Sequence, residues 1–279
     1  MCNINLTVVV VIYNKNFFES STLTSLLRQN FGREQGECNL VLNLFDNSSD
    51  PCISEDELRL LKNMFSVNYK HDNRNLPLSE IYSSQFKDVI NGHYILILDD
   101  DTDLPCNFIA NFFNDAIKNL LEPNIVFLPK VNVSGNLISP YKSYFVFSRP
   151  INSYTSGRAR GLSAINSGII IKKSELLDSF SYPMYSSFYG TDTVLFDYFN
   201  KNNYNFWVMD LFLEHDLSFH PSSDKKIYLS SLSKVINFWV DHYSKSNFKS
   251  MLLRVYIFLL SLKLSLKYKE FINLFKYFK

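Results

Sequence analysis

The residues of this sequence that are best suited to chemistry are three successive aspartates, Asp99, Asp100 and Asp101, which follow the apolar run Y-I-L-I-L. A short apolar run bounded by turn residues is typical of a fully buried parallel strand. Carboxylates that follow such a strand lie at the sheet edge where α/β proteins bind ligands, and they repel one another unless a cation neutralises them. Oxygen ligands of this kind favour Mg²⁺ or Mn²⁺, usually shared with substrate phosphates. The alternative is a solvated acidic turn.

Two further aspartates stand at the boundaries of predicted elements. Asp46 ends a second predicted strand in the sequence F-D-N-S-S-D. An acidic residue at this position of a nucleotide-binding sheet can accept hydrogen bonds from a base or ribose, although D-N-S-S is also an ordinary turn. Asp192 follows F-Y-G-T and opens a predicted helix, so taken alone it is explained as a helix cap.

The elements that must position these aspartates alternate regularly through the first half of the chain. Each predicted strand is followed by a predicted helix, which is typical of a parallel sheet with helices on both faces. After residue 121 the alternation is lost, and we expect a mixed extension of the sheet with a loop at 156–161. The predicted strands are Leu6–Tyr13, Asn39–Phe45, Ser66–Lys70, Tyr94–Leu98, Ile125–Leu128, Ser143–Phe147, Gly168–Ile171 and Phe206–Leu211; the helices are Phe18–Gln29, one opening at Ser54, Ser79–Ile90 and one opening at Pro105.

Charge divides the chain into two parts. Residues 1–221 carry 17 basic and 24 acidic side chains, whereas residues 222–279 carry 11 basic and 3 acidic ones. We therefore predict a domain over 1–221 and a basic amphipathic helical region over 222–279. Within it, Met251–Leu266 is apolar but interrupted by Arg254 and Lys263, so it fits a helix lying at a membrane surface, one packed on the body, or both. No uncharged apolar run is long enough to predict a membrane span.

Other sequence features exclude several classes of protein. Four scattered cysteines, without zinc-ligand spacing, predict reduced thiols. The N-terminus lacks the basic region of a signal peptide. No dinucleotide or P-loop motif exists, and no nucleic-acid motif accompanies the basic tail, so we expect no nucleic-acid partner.

Taken together and in order, the motifs resemble the family-2 glycosyltransferases, in particular bacterial enzymes that build surface polysaccharides such as O-antigen. The likeness covers Leu6 to Pro221. V-V-V-V-I-Y-N resembles that family's first strand and turn, F-D-N-S-S-D its nucleotide-contacting turn, and G-H-Y-I-L-I-L-D-D-D its metal motif. H-D-N-R-N-L-P-L-S-E resembles a further donor segment, with Pro77 or Leu78 in place of its glycine. N-S-G-I-I-I-K-K resembles the acceptor-side strand, and L-E-H-D-L-S-F the late histidine segment. F-Y-G-T-D resembles the E-D motif, with Thr191 where Glu is usual.

The resemblance implies an α/β fold of the GT-A type, a Rossmann-like, mostly parallel mixed sheet flanked by helices, with a C-terminal helical extension. It also implies roles for particular residues. Asp192 would be the catalytic base; the metal ligands would be Asp99, Asp101 and His215, with the choice within the triplet open. Residues implied at the donor nucleotide are Tyr13, Asn14, Asp46, Asn73, Asp99 and Asp100; those implied near the acceptor or diphosphate are Arg158, Arg160 and Gly168.

The implied activity is an inverting glycosyl transfer that depends on Mg²⁺ or Mn²⁺. The donor would be dTDP-rhamnose or a UDP-sugar, and the acceptor a lipid-linked saccharide at the inner face of a bacterial membrane, bound peripherally through the C-terminal region. Two alternatives are metal-dependent phosphoryl enzymes. A haloacid-dehalogenase-type phosphatase expects Thr or Val where this chain has Asp103. A nucleotidyltransferase expects a glycine-rich basic loop where it has Tyr13–Asn16.

Overall fold

The computed structural model describes residues 4–30, 39–215 and 225–278, and its first half alternates strands with helices as predicted. The ranges are β1 Asn5–Ile12, α1 Ser21–Leu26, β2 Asn39–Asp46, α2 Glu55–Lys62, β3 Ser66–His71, α3 Leu78–Asp88, β4 Tyr94–Leu98, β5 Thr102–Asp103 and α4 Phe108–Lys118.

The first four long strands form a parallel sheet in the order β3-β2-β1-β4. At their carboxyl ends, Ile12 pairs with Asp46 and Asp46 pairs with His71. Leu98, the last residue of β4, pairs with Val10. Because parallel strands end at the same edge, the turn at Asp46 and the Asp99–Asp101 triplet emerge together, which is the edge predicted for ligand binding.

The second half extends this sheet with strands of both directions. Its ranges are β6 Ile125–Val133, β7 Asn136–Ser139, β8 Tyr141–Tyr144, β9 Phe147–Pro150, β10 Gly157–Ala159, β11 Ile170–Lys172, α5 Glu175–Asp178, α6 Thr191–Lys201 and β12 Asn205–His215. β11 lies antiparallel between β4 and β6, while β12 is parallel to β6. The predicted mixed extension of the sheet is therefore present.

The short strand β5 brings two distant parts of the chain together. Thr102 pairs with His215, the last residue of β12. Since Thr102 directly follows Asp101, this pairing places the aspartate triplet beside His215.

The sheet separates two apolar cores, and the side chains of β1 contribute to both. Its side chains alternate, so Val8 and Val10 enter one core with α1, α2 and α4, while Val9 and Val11 enter the other with α3 and α6. Strands buried on both faces in this way read as continuous apolar runs, which is why β1 and β4 are recognisable in the sequence.

Several predicted boundaries are wrong. The strand predicted at Ser143–Phe147 is divided between the end of β8 and the start of β9 by the hairpin turn, where Phe145 has a φ of 60°. The loop at 156–161 contains β10, which pairs with β12. The helix predicted from Phe18 begins only at Ser21, because Ser20 caps it after a single 3₁₀ turn. The helix predicted to open at Pro105 opens at Phe108.

The C-terminal part consists of α7 Lys225–Tyr243 and α8 Asn247–Tyr268, followed by a 3₁₀ turn at Phe275–Tyr277. Ser246 caps α8, which explains why the predicted continuous helix is interrupted without Gly or Pro. The two helices share a third apolar core that also receives Phe145 and Val146 of the β8–β9 turn. The predicted domain boundary at 221/222 lies outside the described residues.

The helix α7 packs directly on the segment that leads into α6. Gly190, the residue before α6, has a φ of 73°, and a Cβ added there would lie 2.3 Å from the ring of Phe238 on α7. The close approach of this ring and the left-handed backbone both explain why the position is glycine. None of the described helices is both long and apolar enough to cross a bilayer.

Candidate functional site

The strand ends bring three predicted metal ligands together. One ligand atom each from Asp99, Asp101 and His215 lie within 4.8 Å of one another. The Oδ1 atom of Asp101 is buried without a hydrogen-bond partner in the described part of the chain, and it lies 3.2 Å from Nδ1 of His215. Two carboxylates, one of them with a buried oxygen that lacks a hydrogen-bond partner, and an imidazole fit a divalent cation such as Mg²⁺ or Mn²⁺.

Asp100 points to a different partner. Its Oδ1 atom lies 2.6 Å from Nζ of Lys15, and its Oδ2 atom accepts a hydrogen bond of 3.4 Å from the backbone N–H of Tyr13. Because Lys15 already neutralises this carboxylate, the geometry favours Asp99 and Asp101 as the pair of the triplet that faces a cation.

A chain of hydrogen-bonded hydroxyl groups connects Asp99 to His215 and holds the cluster in place. The N–H of Asp99 donates to Ser167 Oγ at 3.0 Å, Ser167 Oγ lies 2.5 Å from Thr102 Oγ1, and Thr102 Oγ1 lies 3.0 Å from His215 Nδ1. Thr22 donates to the carbonyl of Asp99 and accepts from the N–H of Thr102. Sequence reasoning missed Lys15, Ser167 and Thr22, because nothing local marks residues that reach the site from other elements.

The electrostatics of the cluster also call for a cation. Burial raises the pKa of Asp99 to about 7, with the charges of Asp101, Asp100 and Asp192 adding to the rise and Lys15 opposing it. Burial raises the pKa of Asp101 as well, more than the attraction of His215 lowers it. Because the folded-state pKa of Asp99 exceeds its unfolded value, its stabilising contribution is present at low pH and is lost as the pH rises through about 7.

Asp192 lies in the first turn of α6, where its Oδ1 accepts a 2.7 Å hydrogen bond from the N–H of Thr193. Asp192 is thus an acidic residue in the first turn of a helix, as its position in the sequence predicts when taken alone. Burial nevertheless raises its pKa despite the bonds from Thr193, and its charge helps to raise the pKa of Asp99. A half-buried carboxylate with a raised pKa near a cation site has the properties of a general base.

Two tyrosines that sequence reasoning did not single out interact electrostatically with this carboxylate. The hydroxyl groups of Tyr82 and Tyr182 are buried without a hydrogen-bond partner among the described residues. Burial raises the pKa of both, with the charges of Asp99 and Asp192 adding to the rise at Tyr82 and the charge of Asp192 at Tyr182. Both hydroxyl groups are therefore neutral.

The turn after β2 is held together by its own aspartate. Asp46 is 1% exposed, and its carboxylate accepts hydrogen bonds from the N–H groups of Ser48 and Cys52 and from the hydroxyl of Tyr69. Burial raises its pKa, but these bonds outweigh burial and hold the pKa below its ordinary value. Contact of Asp46 with a nucleotide stays a prediction.

The other predicted nucleotide-contacting residues lie at the open edge. Tyr13 is 51% exposed at the end of β1. Asn14 has a φ of 50° and its N–H donates to Ser48 Oγ at 2.8 Å, so the turn held by Asp46 in turn positions Asn14. Asn73 is exposed in the turn after β3.

The three residues predicted near the acceptor or diphosphate are not together. Arg158 forms an ion pair of 2.5 Å with Glu122 and pairs with Trp207 near the start of β12, at the end of the strand opposite His215. This differs from the prediction. Arg160 follows it along the chain, with Nε 3.4 Å from Oδ1 of Asn205. Gly168 lies beside the cluster, and an added Cβ would meet Leu213 at 2.5 Å, so close packing explains the glycine.

Comparison with known proteins gives structural likeness only. No protein-family model and no curated protein matches the chain. A crystal structure of GalNAc-T7 with UDP, GalNAc and Mn²⁺ matches with a TM-score of 0.61 and 13% identity, over 86% of this chain and 48% of that one. S. aureus TarS 1–349 matches with a TM-score of 0.49 and 15% identity, over 88% of this chain and 73% of that one. The structure of the same TarS segment in complex with UDP-GlcNAc matches with a TM-score of 0.47 and 14% identity, over 86% of this chain and 73% of that one.

This chain spans about half the length of the GalNAc-T7 chain that it resembles. The likeness covers 86% of this chain. The predicted architecture is confirmed: the chain has the GT-A fold.

Proposed function

We propose that this chain is a metal-dependent glycosyltransferase that moves a sugar from a nucleotide-diphosphate donor to an acceptor hydroxyl. The observation that carries the proposal is the Asp99–Asp101–His215 cluster at the ligand edge of a GT-A sheet, together with the half-buried carboxylate of Asp192, whose charge helps to raise the pKa of Asp99. GalNAc-T7, which shares the fold, was solved with UDP and Mn²⁺. A divalent cation held here would neutralise the charge that develops on the diphosphate as it leaves.

The chain's own residues have separate roles in this proposal. Asp99, Asp101 and His215 hold the cation, and Lys15 keeps Asp100 turned away from it. Tyr13, Asn14 and Asn73 line the nucleotide at the open edge. Asp192 removes the proton from the acceptor hydroxyl as that oxygen attacks the anomeric carbon opposite the diphosphate, so the configuration inverts. The family-2 resemblance favours dTDP-rhamnose or a UDP-sugar as donor and a bacterial surface polysaccharide as product.

A screen of donor diphosphates by thermal unfolding tests this proposal. We expect UDP or dTDP together with Mg²⁺ or Mn²⁺ to raise the unfolding temperature, whereas either component alone gives a smaller rise. Because the cation must displace a proton from Asp99, whose pKa is about 7, its affinity should be about tenfold weaker at pH 6 than at pH 8. Stabilisation by inorganic phosphate mimics alone would instead support a phosphatase.

Because the proposed acceptor is linked to a lipid, we expect the C-terminal region to lie at an anionic membrane surface. α8 turns an apolar face outward, with side chains exposed by 37–80% at intervals of three or four residues. This face consists of Phe248, Met251, Leu252, Val255, Phe258, Leu259, Leu262 and Leu266. α8 also contains four basic and no acidic residues. An exposed apolar face flanked by cations fits anionic lipid better than a second, equally basic copy. Residues 222–279 would thus hold a peripheral enzyme on the inner face of a bacterial membrane, near a lipid-linked acceptor.

Vesicle flotation tests the membrane contact. The full chain should float with phosphatidylglycerol-containing vesicles, and the triple variant Phe258→Ser/Leu259→Ser/Leu262→Ser should partition at least about tenfold more weakly, because three apolar side chains no longer leave water. Leu121→Ser, which alters a 97% exposed leucine on the body, is the matched control. Equal recovery of the triple variant and the wild type would contradict the contact.

A further inference from the structure

A cavity of about 450 Å³ lies where the catalytic body meets the C-terminal helices. α6 contributes Asp197 and Asn200 to its wall, and the α7–α8 pair contributes His242, Tyr243 and Lys249. The walls are fixed to one another. His242 Nε2 lies 3.1 Å from Asp197 Oδ2, and the hydroxyl of Tyr243 donates to the carbonyl of Phe145 in the β8–β9 turn at 3.0 Å. The cavity therefore exists only while the helices are docked on the body.

The cavity adjoins the proposed base. Thr193, whose N–H donates to Asp192, is part of its lining. Asp197 and Asn200 lie five and eight residues beyond Asp192 on α6, which corresponds to about 7.5 Å and about 12 Å along the helix axis. One end of the cavity therefore lies near Asp192, and the cavity extends from there along α6.

The lining has the chemistry of a saccharide site with an anionic group. The amide of Asn203 and the amide oxygen of Asn200 suit sugar hydroxyls, while the buried rings of Tyr204 and Tyr243 form part of the wall. Two cations, Arg160 and Lys249, also line it. In the described part of the chain neither is paired with a carboxylate: Arg160 contacts Asn205 Oδ1 at 3.4 Å, and Lys249 lies over the ring of Tyr243.

Lys249 also marks the position of the cavity relative to the apolar face of α8. It lies in the first turn of that helix, between Phe248 and Met251, where the exposed apolar face begins. A ligand with a charged group at Lys249 could therefore extend an apolar chain along α8 while its sugar enters the cavity.

We propose that this cavity is the acceptor site and that Arg160 and Lys249 bind the phosphate or diphosphate of a lipid-linked saccharide. Asn200 and Asn203 contact its sugar, and the face of α8 receives its lipid. This assignment rests on the proposed glycosyltransferase function. It also gives the basic C-terminal helices a direct part in substrate binding, in addition to membrane contact.

Calorimetry on the full chain saturated with Mn²⁺ and UDP or dTDP, whichever binds, tests the assignment. The probe is N-acetylglucosamine linked through a diphosphate to a short prenyl chain. We expect wild type to bind it, and the double variant Arg160→Ala/Lys249→Ala to bind at least about tenfold more weakly, because two charge-assisted contacts are lost. Lys245→Ala, an exposed lysine outside the lining, should bind as wild type does. Inorganic diphosphate should compete weakly, since it shares only the phosphate chemistry.

Two further measurements separate the possible results. The neutral octyl N-acetylglucosaminide should bind wild type and the double variant equally, and unfolding temperatures should match because both altered side chains are exposed. Equal binding of the diphosphate probe by wild type and double variant, or no binding by wild type, would overturn the cavity assignment alone if nucleotide still binds. Absence of nucleotide binding to wild type would overturn the proposed function and this assignment with it.

Discussion

Asp192→Asn is expected to lower the rate of sugar transfer by about 10²- to 10⁴-fold while leaving metal and nucleotide binding unchanged. The amide keeps an oxygen that can accept the hydrogen bond from Thr193, so the first turn of α6 is preserved. What it loses is the ability to take a proton. Because burial raises the pKa of Asp192, the native carboxylate is a stronger base than an exposed aspartate.

The measurement is transfer from the donor identified by thermal unfolding, followed as release of nucleoside diphosphate in the presence of an acceptor. Asp88→Asn, at an exposed aspartate at the end of α3, controls for the loss of one charge. Nucleotide affinity should be the same in both variants. Turnover of Asp192→Asn at the wild-type rate would exclude Asp192 as the base.

The sequence predicted the structure best where a strand that is easily recognised is followed directly by residues of the candidate site. β1 and β4 are buried on both faces, so they appear as unbroken apolar runs, and the end of β4 marks the aspartates that follow it in the sequence. His215 was different. No local pattern marks it, and only the order of motifs in the family resemblance pointed to it; the pairing of Thr102 with His215 explains the proximity.

The parts that could not be predicted depend on contacts between distant elements. Asp46 follows a strand as a nucleotide-binding acid would, but Tyr69 from the neighbouring strand and Cys52 from the turn draw its carboxylate inward. The contact of Lys15 with Asp100 likewise spans 85 residues. The docking of Phe238 on Gly190 joins the basic C-terminal region to the segment that leads into α6, and counting charges along the sequence could not reveal this contact.

Replacing Asp101 by Asn should remove cation binding and yet leave the metal-free protein at least as stable as wild type. The Oδ1 atom of Asp101 is a buried oxygen without a hydrogen-bond partner in the described structure, and a bound cation would satisfy it. Burial raises the pKa of Asp101 even though His215 lies 3.2 Å away, so the folded protein disfavours the charged form. A neutral side chain removes that cost and weakens the rise in the pKa of Asp99.

The Asp101→Asn substitution is expected to weaken cation binding but not the stability of the metal-free protein. A purely structural residue would show the reverse, so the two measurements distinguish a metal ligand from a structural residue. Loss of a ligand should weaken cation affinity by at least about 100-fold, and nucleotide diphosphate should no longer raise the unfolding temperature in the presence of Mn²⁺. Thermal unfolding with and without the cation measures both effects. Asp103→Asn, at an exposed carboxylate paired with Arg28, should respond to Mn²⁺ as wild type does. If Asp101→Asn were destabilised without metal and still stabilised by Mn²⁺ to the wild-type extent, Asp101 would be a structural acid, and the ligand set would have to be sought elsewhere along the carboxyl edge of the sheet.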